Sequence, residues 1–394
     1  MISTIRSALC HIAFALLVGA GLAAGARAES HDMQILIGSY TDGSGSPGIL
    51  RLRFDPQRGR IDPQPLQVLA SHNPSWLVQD RQRGRLYATN ENAPTRTDPI
   101  GRVSAWQLDS RGDYQPIGQS TSLGDEPTHA SLSPDGRYLF VSNYGSRANP
   151  GGHLAVMPLA ADGRPLPVTQ IAAHQASRVH PQRQQSAHVH SAVPTPDGKR
   201  LLVSDLGADR VFVYRYEPSR AERPLQPDEP ASIELPPGSG PRHLVFDPQG
   251  RYAFLTLELS AQVARFDYTD GRLVRRQLLS LAEAAPDVRH SPGAIHTSAD
   301  GRFLYVSDRG DYNHIIGFAI EADGNLREIQ RRPSEGREPR EFAIAPDGRF
   351  MVIANQLSDS LVLIRRDPAS GRLGETLQTL AVERPSDVRF FSAP

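Results

Sequence analysis

Ten side chains able to do chemistry are spread at wide intervals along this 394-residue chain: Glu91, Asn143, His188, His190, Arg242, His243, Glu258, His296, Arg309 and Arg340. Imidazole takes up and returns protons near neutral pH, and guanidinium holds carboxylates and oxyanions in planar, bidentate fashion. Bringing such groups to one place is costly unless they do chemistry or bind a ligand. Other chemistries have less to work with. Cys10 is the only cysteine and Lys199 the only lysine, so thiol and Schiff-base catalysis have very little to work with. No Gly-x-Ser-x-Gly nucleophile elbow, phosphate-cradling P-loop or dinucleotide Gly-x-Gly-x-x-Gly opening a helix occurs. His188 and His190 stand at i and i+2, so they share a strand face and could chelate a metal. No carboxylate lies near them in sequence, and neither a metal nor another cofactor is expected.

A repeat supplies the elements that must position these groups. A Pro/Ala-Asp-Gly-Arg-aromatic turn followed by an apolar run recurs, as in Pro134 to Tyr138 leading to Asn143, Ala299 to Phe303 leading to Asp308, and Pro346 to Phe350 leading to Asn355. Weaker copies lead to Asn90, Asp205 and Leu257, and the six endpoints are 53, 62, 52, 51 and 47 residues apart. That is the period of a four-stranded propeller blade. The chain opens on a second-type strand, Ile35 to Tyr40, and closes on an innermost-type strand, Ser386 to Phe391. An all-β, seven-bladed β-propeller with four-stranded antiparallel blades is therefore expected, its last blade closed by strands from both termini. All the Asp-Gly turns then lie at one end of the ring. The ten candidate side chains collect at the other, around the mouth of the channel.

Residues 1–28 carry Arg6, an apolar stretch from Ala8 to Ala24 and a small-x-small site at Ala26-Arg27-Ala28. They read as a cleaved signal peptide, with 29–394 as a single propeller domain in the periplasm and no membrane association after cleavage. A membrane anchor is the competing reading, but the stretch is short and rich in Ala and Gly. Without Arg6 and Arg27 the basic residues fall from 43 to 41 against 43 acids, which gives no footing for a nucleic-acid partner. About 365 residues can readily bury a core without disulfides. A monomer or weak dimer is expected.

Phrases along nearly the whole mature chain carry a resemblance: Ile37 to Thr41, Asn73-Pro74-Ser75, Asn143-Tyr144-Gly145, His188 to Ser191, Asp205-Leu206-Gly207, Gly240 to His243, Glu258-Leu259-Ser260, Ser307 to Gly310, Pro339-Arg340 and Ala354-Asn355-Gln356. Each alone is weak, but in this order and at blade spacing they are specific. The chain resembles the seven-bladed lactonase family that includes propeller-type 6-phosphogluconolactonase and the fungal carboxymuconate-lactonising enzyme. The resemblance implies an active centre of His190, Arg242, Glu258 and Arg309, with His296 and Arg340 lining it. His188, His243 and Asn143 are added as substrate-binding candidates. Leu257 and Asp308 stand where the family has asparagine, so an altered ligand preference is expected.

Lactone opening suits these residue types. Water must lose a proton as it attacks, the oxyanion needs positive charge, and the departing ring oxygen needs a proton. His190 is expected as general base, Arg242 and Arg309 on the oxyanion or substrate oxygens, and Glu258 orienting the histidine or the water. Histidines at strand starts can also be plain channel liners, and Arg340 can simply pair with a carboxylate from a neighbouring blade. The basic, glutamine-rich segment from Arg178 to Gln185 explains the long 62-residue repeat; either a lid or a solvated insertion fits. The expected partner is a small sugar lactone. Export favours D-glucono-1,5-lactone, with the 6-phosphorylated lactone as the alternative. A muconate-type lactonising activity and a non-catalytic binding propeller complete the set.

Overall fold

The computed structural model describes residues 33–92, 100–282, 285 and 287–392. The expected signal peptide, 1–28, lies outside the described residues. Seven antiparallel sheets follow one another round a ring. Listing the innermost and then the second strand, blade I has Pro74–Asp80 and Arg85–Asn90, and blade II has Pro127–Leu132 and Tyr138–Asn143. Blade III has Val189–Pro194 and Arg200–Asp205, and blade IV has Pro241–Phe246 and Tyr252–Leu257. Blade V has His290–Thr297 and Phe303–Gly310, and blade VI has Pro339–Ile344 and Phe350–Asn355.

Blade VII is stitched from both termini. Pro385–Ser392 is its innermost strand and pairs with Met33–Ser39, which pairs outward with Gly48–Asp55 and through it with Gln67–Ala70. The register runs from Met33 opposite Ser392 to Ser39 opposite Pro385. Closing the ring in this way leaves no inner sheet edge free to pair with another chain.

The core is divided among the gaps between blades. Seven buried apolar clusters occur among the described residues, and each joins two neighbouring blades. Phe54 and Phe390 of blade VII, for example, pack edge-on with each other and Phe54 with Phe350 of blade VI. Since every sheet is covered on both faces, second strands such as Tyr138–Asn143 are buried along their whole length, as their near-continuous apolar sequence requires. The Asp-Gly turns cap the far end. Gly136 and Gly348 adopt φ of +69° and +72°, the left-handed backbone that glycine takes at no steric cost.

One irregularity recurs in all seven blades. At the mouth end of each innermost strand the register slips, so that an extra residue faces the second strand. Six of the seven slips follow a proline: Pro74, Pro127, Pro241, Pro292, Pro339 or Pro385. Proline has no N–H to give the ladder, which favours a bulge there. A bulge bends the strand and re-aims its side chains. His190 is the extra residue of blade III and Arg340 that of blade VI. In blade IV, Arg242 and His243 lie between the paired residues Pro241 and Leu244.

Candidate active site

Two kinds of position build the channel mouth. The bulges present His190, Arg242 and Arg340. The residues at or just beyond the ends of second strands present Tyr40, Glu91, Tyr144, Glu258 and Arg309. All seven blades therefore contribute a polar group.

Glu258 is the hub. Its Oε2 accepts a hydrogen bond from Arg309 Nη2 at 2.9 Å and lies 3.1 Å from Arg242 Nε, while Oε1 accepts one from Arg183 Nη2 at 2.7 Å. Burial pushes the Glu258 carboxyl up, but Arg309, Arg242 and Arg183 together hold it well below the usual carboxylate range. Glu258 is thus held as an anion, with a hydrogen bond accepted by each of its oxygens. It is well suited to fixing guanidinium groups and poorly suited to taking a proton.

Arg309 is tied down further. It donates to the Ser291 carbonyl and hydroxyl, each at 3.0 Å, and faces Glu338 at 3.2 Å. Burial and the neighbouring Arg309 push Arg242 down to about 9, which leaves it protonated at neutral pH. Arg340 lies 3.4 Å from Glu91 and 5.1 Å over the Tyr40 ring, and the Tyr40 hydroxyl donates to the same Glu91 oxygen at 2.9 Å. Arg340 thus has a carboxylate partner, but from two blades away rather than from the neighbouring blade that the simple pairing reading expected.

His190 is buried between Tyr144 and His243, with ring centroids 5.2 and 5.1 Å away. Burial and then Arg242 drive its imidazole well below its ordinary value, so the ring is neutral and carries a free lone pair. Its Nδ1 is buried without a hydrogen-bond partner. His188 packs against the Tyr144 ring, tilted by 30° with centroids 4.6 Å apart, and its Nδ1 lies 2.7 Å from the Tyr144 carbonyl. Among the described residues no group of three His, Cys, Asp or Glu is arranged to hold a metal.

Other candidates stand elsewhere. His243 lies one level below the mouth, its Nδ1 3.2 Å from Arg242 Nη1 and its ring within 5.1 Å of Trp76 and 5.6 Å of His129. It supports Arg242 rather than forming the rim. His296 is corrected: it sits two residues before the turn that begins at Ser298, in the turn-side half of the channel, with Nε2 2.6 Å from Glu341. Asn143 is also corrected. It is 0 % exposed, and its amide donates to the Ser122 carbonyl at 3.4 Å. Asn355 holds the Ser334 carbonyl in the same way, so this position clamps the incoming loop of its own blade. Asp308 fills the clamp position in blade V by accepting from Ser291 N at 2.9 Å and pairing with His290 at 2.5 Å, and Leu257 is core. Neither side chain reaches the mouth itself, although Asp308 holds Ser291, which in turn holds Arg309.

Arg183 escaped the sequence reading. It lies in an insertion with no counterpart in the other repeats, and only the basic character of that segment marked it. Tyr144 and Tyr40 were findable, since each follows a second-strand endpoint just as Glu258 follows Leu257.

Residues 34–390 match the family described as Lactonase, 7-bladed beta-propeller. The chain belongs to this lactonase family. The lactonase is 31 % identical over 360 residues to 6-phosphogluconolactonase of Bacillus subtilis, covering 90 % of this chain and 97 % of that one. It is 30 % identical over 362 residues to a protein of the same name from Formosa agariphila, covering 91 % and 99 %. Among solved structures it is similar to the periplasmic gluconolactonase PpgL of Pseudomonas aeruginosa, with 50 % identity, a TM-score of 0.88 and coverage of 92 % of this chain and 99 % of that one. The lactonase is accordingly a lactone-hydrolysing enzyme.

Proposed function

We propose that the lactonase hydrolyses an unphosphorylated sugar lactone, D-glucono-1,5-lactone, to D-gluconate in the periplasm. The observation that carries the choice of substrate is the pairing of charge at the buried part of the mouth: Arg242, Arg309 and Arg340 each already face a carboxylate. A phosphate dianion needs spare cationic donors, whereas a neutral polyol needs only hydrogen-bonding groups. The leader-like residues 1–28 and the likeness to a protein described as periplasmic support the location.

In this reading His190, neutral and with one ring nitrogen unprotonated, takes the proton of the attacking water. Oxygen adds to the carbonyl carbon, and the oxyanion forms against the Arg242 and Arg309 guanidinium groups, which Glu258 holds in place. When the ring C–O bond breaks, His190 returns its proton to the departing ring oxygen, and the new carboxylic acid ionises to solvent. General-base help of this kind is worth about 100- to 10,000-fold. Hydrolysis of the phosphorylated lactone is the second reading. It is favoured by the names of the Bacillus and Formosa relatives and by Arg183, which is 39 % exposed at the mouth. Comparing kcat/KM for the two lactones on the mature protein, with cell fractionation, tests the choice. Preference for glucono-1,5-lactone in the periplasmic fraction is expected; faster turnover of the phosphorylated lactone by a cytosolic protein overturns it.

A further inference from the structure

Three guanidinium groups surround Glu258, but they differ in accessibility. The side chains of Arg242 and Arg309 are 2 % and 7 % exposed, whereas Arg183 is 39 % exposed. They also differ in what they hold. Arg242 and Arg309 both engage Oε2, and Arg183 alone engages Oε1. Arg183 can therefore shift without leaving the carboxylate uncompensated. Its other partner is the Tyr144 hydroxyl, at 2.9 Å, a neutral oxygen of the kind a sugar presents.

The segment that carries Arg183 is built to hold it there. Residues 177–186 form a strap pinned where it begins by Ser177 N on the Gly207 carbonyl and closed on itself by Arg178 N on the Gln184 carbonyl. The fully buried Gln184 side chain donates to the Leu206 carbonyl at 2.9 Å and to Asp209 at 2.7 Å, and accepts from His180 N at 2.9 Å. The His180 ring in turn accepts from the backbone N–H of Arg183 at 3.2 Å. A solvated insertion needs none of this. These contacts fix the strap backbone on both sides of Arg183, whose side chain reaches Glu258 and Tyr144 at the mouth.

We propose that Arg183 is a substrate-binding residue that sets specificity for polyhydroxylated lactones, its guanidinium exchanging the Tyr144 hydroxyl for hydroxyl oxygens of the substrate. The proposal rests on the reading of the substrate as a sugar lactone. A rigid strap lowers the ordering cost of that contact, and the planar fork matches two vicinal oxygens in a way that an ammonium cannot.

The test uses two lactones that differ in hydroxyl content, D-glucono-1,5-lactone and δ-valerolactone, on the parent and on Arg183→Gln and Arg183→Lys. The ratio of kcat/KM for the hydroxylated over the plain lactone should fall about tenfold or more in Arg183→Gln, chiefly through KM, with partial recovery in Arg183→Lys. The inhibition constant of D-gluconate should rise in parallel. If Arg183 served only to hold Glu258, both lactones would lose rate together. An unchanged ratio with an unchanged gluconate constant overturns the proposal. A measurement on the parent protein guards against a misfolded variant: saturating gluconate should protect Arg183 from phenylglyoxal, read by peptide mass spectrometry, and equal modification with and without gluconate overturns the proposal independently. A parent that turns over neither lactone refutes the substrate reading instead, so the two failures are distinguishable.

Discussion

Arg183 and Glu258 stand 75 residues apart in sequence and 2.7 Å apart in the folded chain, joined across the channel mouth by a strap from one blade and a strand end from the next. With Arg242 and Arg309 this contact makes Glu258 an anion fixed in a cationic cage. The acid–base consequences can be measured.

Replacing Glu258 by Gln should cost about 3 to 5 kcal/mol, because it leaves buried guanidinium groups without their counter-charge. The folded carboxyl lies below its ordinary 4.5, so its stabilisation is complete above that value and is lost as pH falls toward the folded value. Urea unfolding at pH 7 and pH 3 should show the parent losing more stability on acidification than Glu258→Gln. An equal loss in both would remove Glu258 from the account of acid sensitivity.

His190→Ala should lower kcat by about 100- to 10,000-fold in a protein that still melts cooperatively. Since burial and Arg242 keep the imidazole neutral, the parent's kcat/KM should show no acid limb from His190 at its ordinary 6.5. A limb centred there that vanishes in His190→Ala would mean that the ring titrates normally.

Glu126 gives the opposite sign. Burial, with Glu91 and Asp125 nearby, raises its carboxyl to about 7, so ionising it in the folded state is unfavourable and its contribution to stability declines as pH rises from about 4.5 to 7. Glu126→Gln should therefore gain stability over the parent progressively between pH 5 and pH 8. Melting temperatures of the pair across that range should diverge, and parallel curves would contradict the prediction.

Asn143→Ala should destabilise by about 1 kcal/mol through loss of its bond to the Ser122 carbonyl, while KM for glucono-1,5-lactone stays within twofold. A tenfold rise in KM would return Asn143 to the binding site.

Much of this was legible in the sequence because the blade repeats. Its period and the mismatched ends led to seven blades and the shared last sheet; ten side chains stood out as departures from an otherwise uniform unit, and the family resemblance singled out His190, Arg242, Glu258 and Arg309 among them. What stayed hidden was depth. His296 and His243 share innermost strands with the mouth residues, but level along the channel depends on where the bulge falls, and a register slip leaves only a proline as its trace. Asn143 was misjudged because an asparagine at a strand end reads the same whether it faces a cavity or the underside of its own loop. Arg183 was hidden because a residue unique to one repeat has no copy to be compared with.

The shared seventh sheet also imposes an order of events. Met33 to Ser39 is the first described strand to be synthesised, and its inner neighbour, Pro385 to Ser392, is the last. The ring therefore stays open until residues 385–392 have been made, and the arc of side chains from Tyr40 round to Arg340 cannot be drawn into one rim by a shorter nascent fragment. The chain becomes an enzyme only once its tail strand has met its head strand.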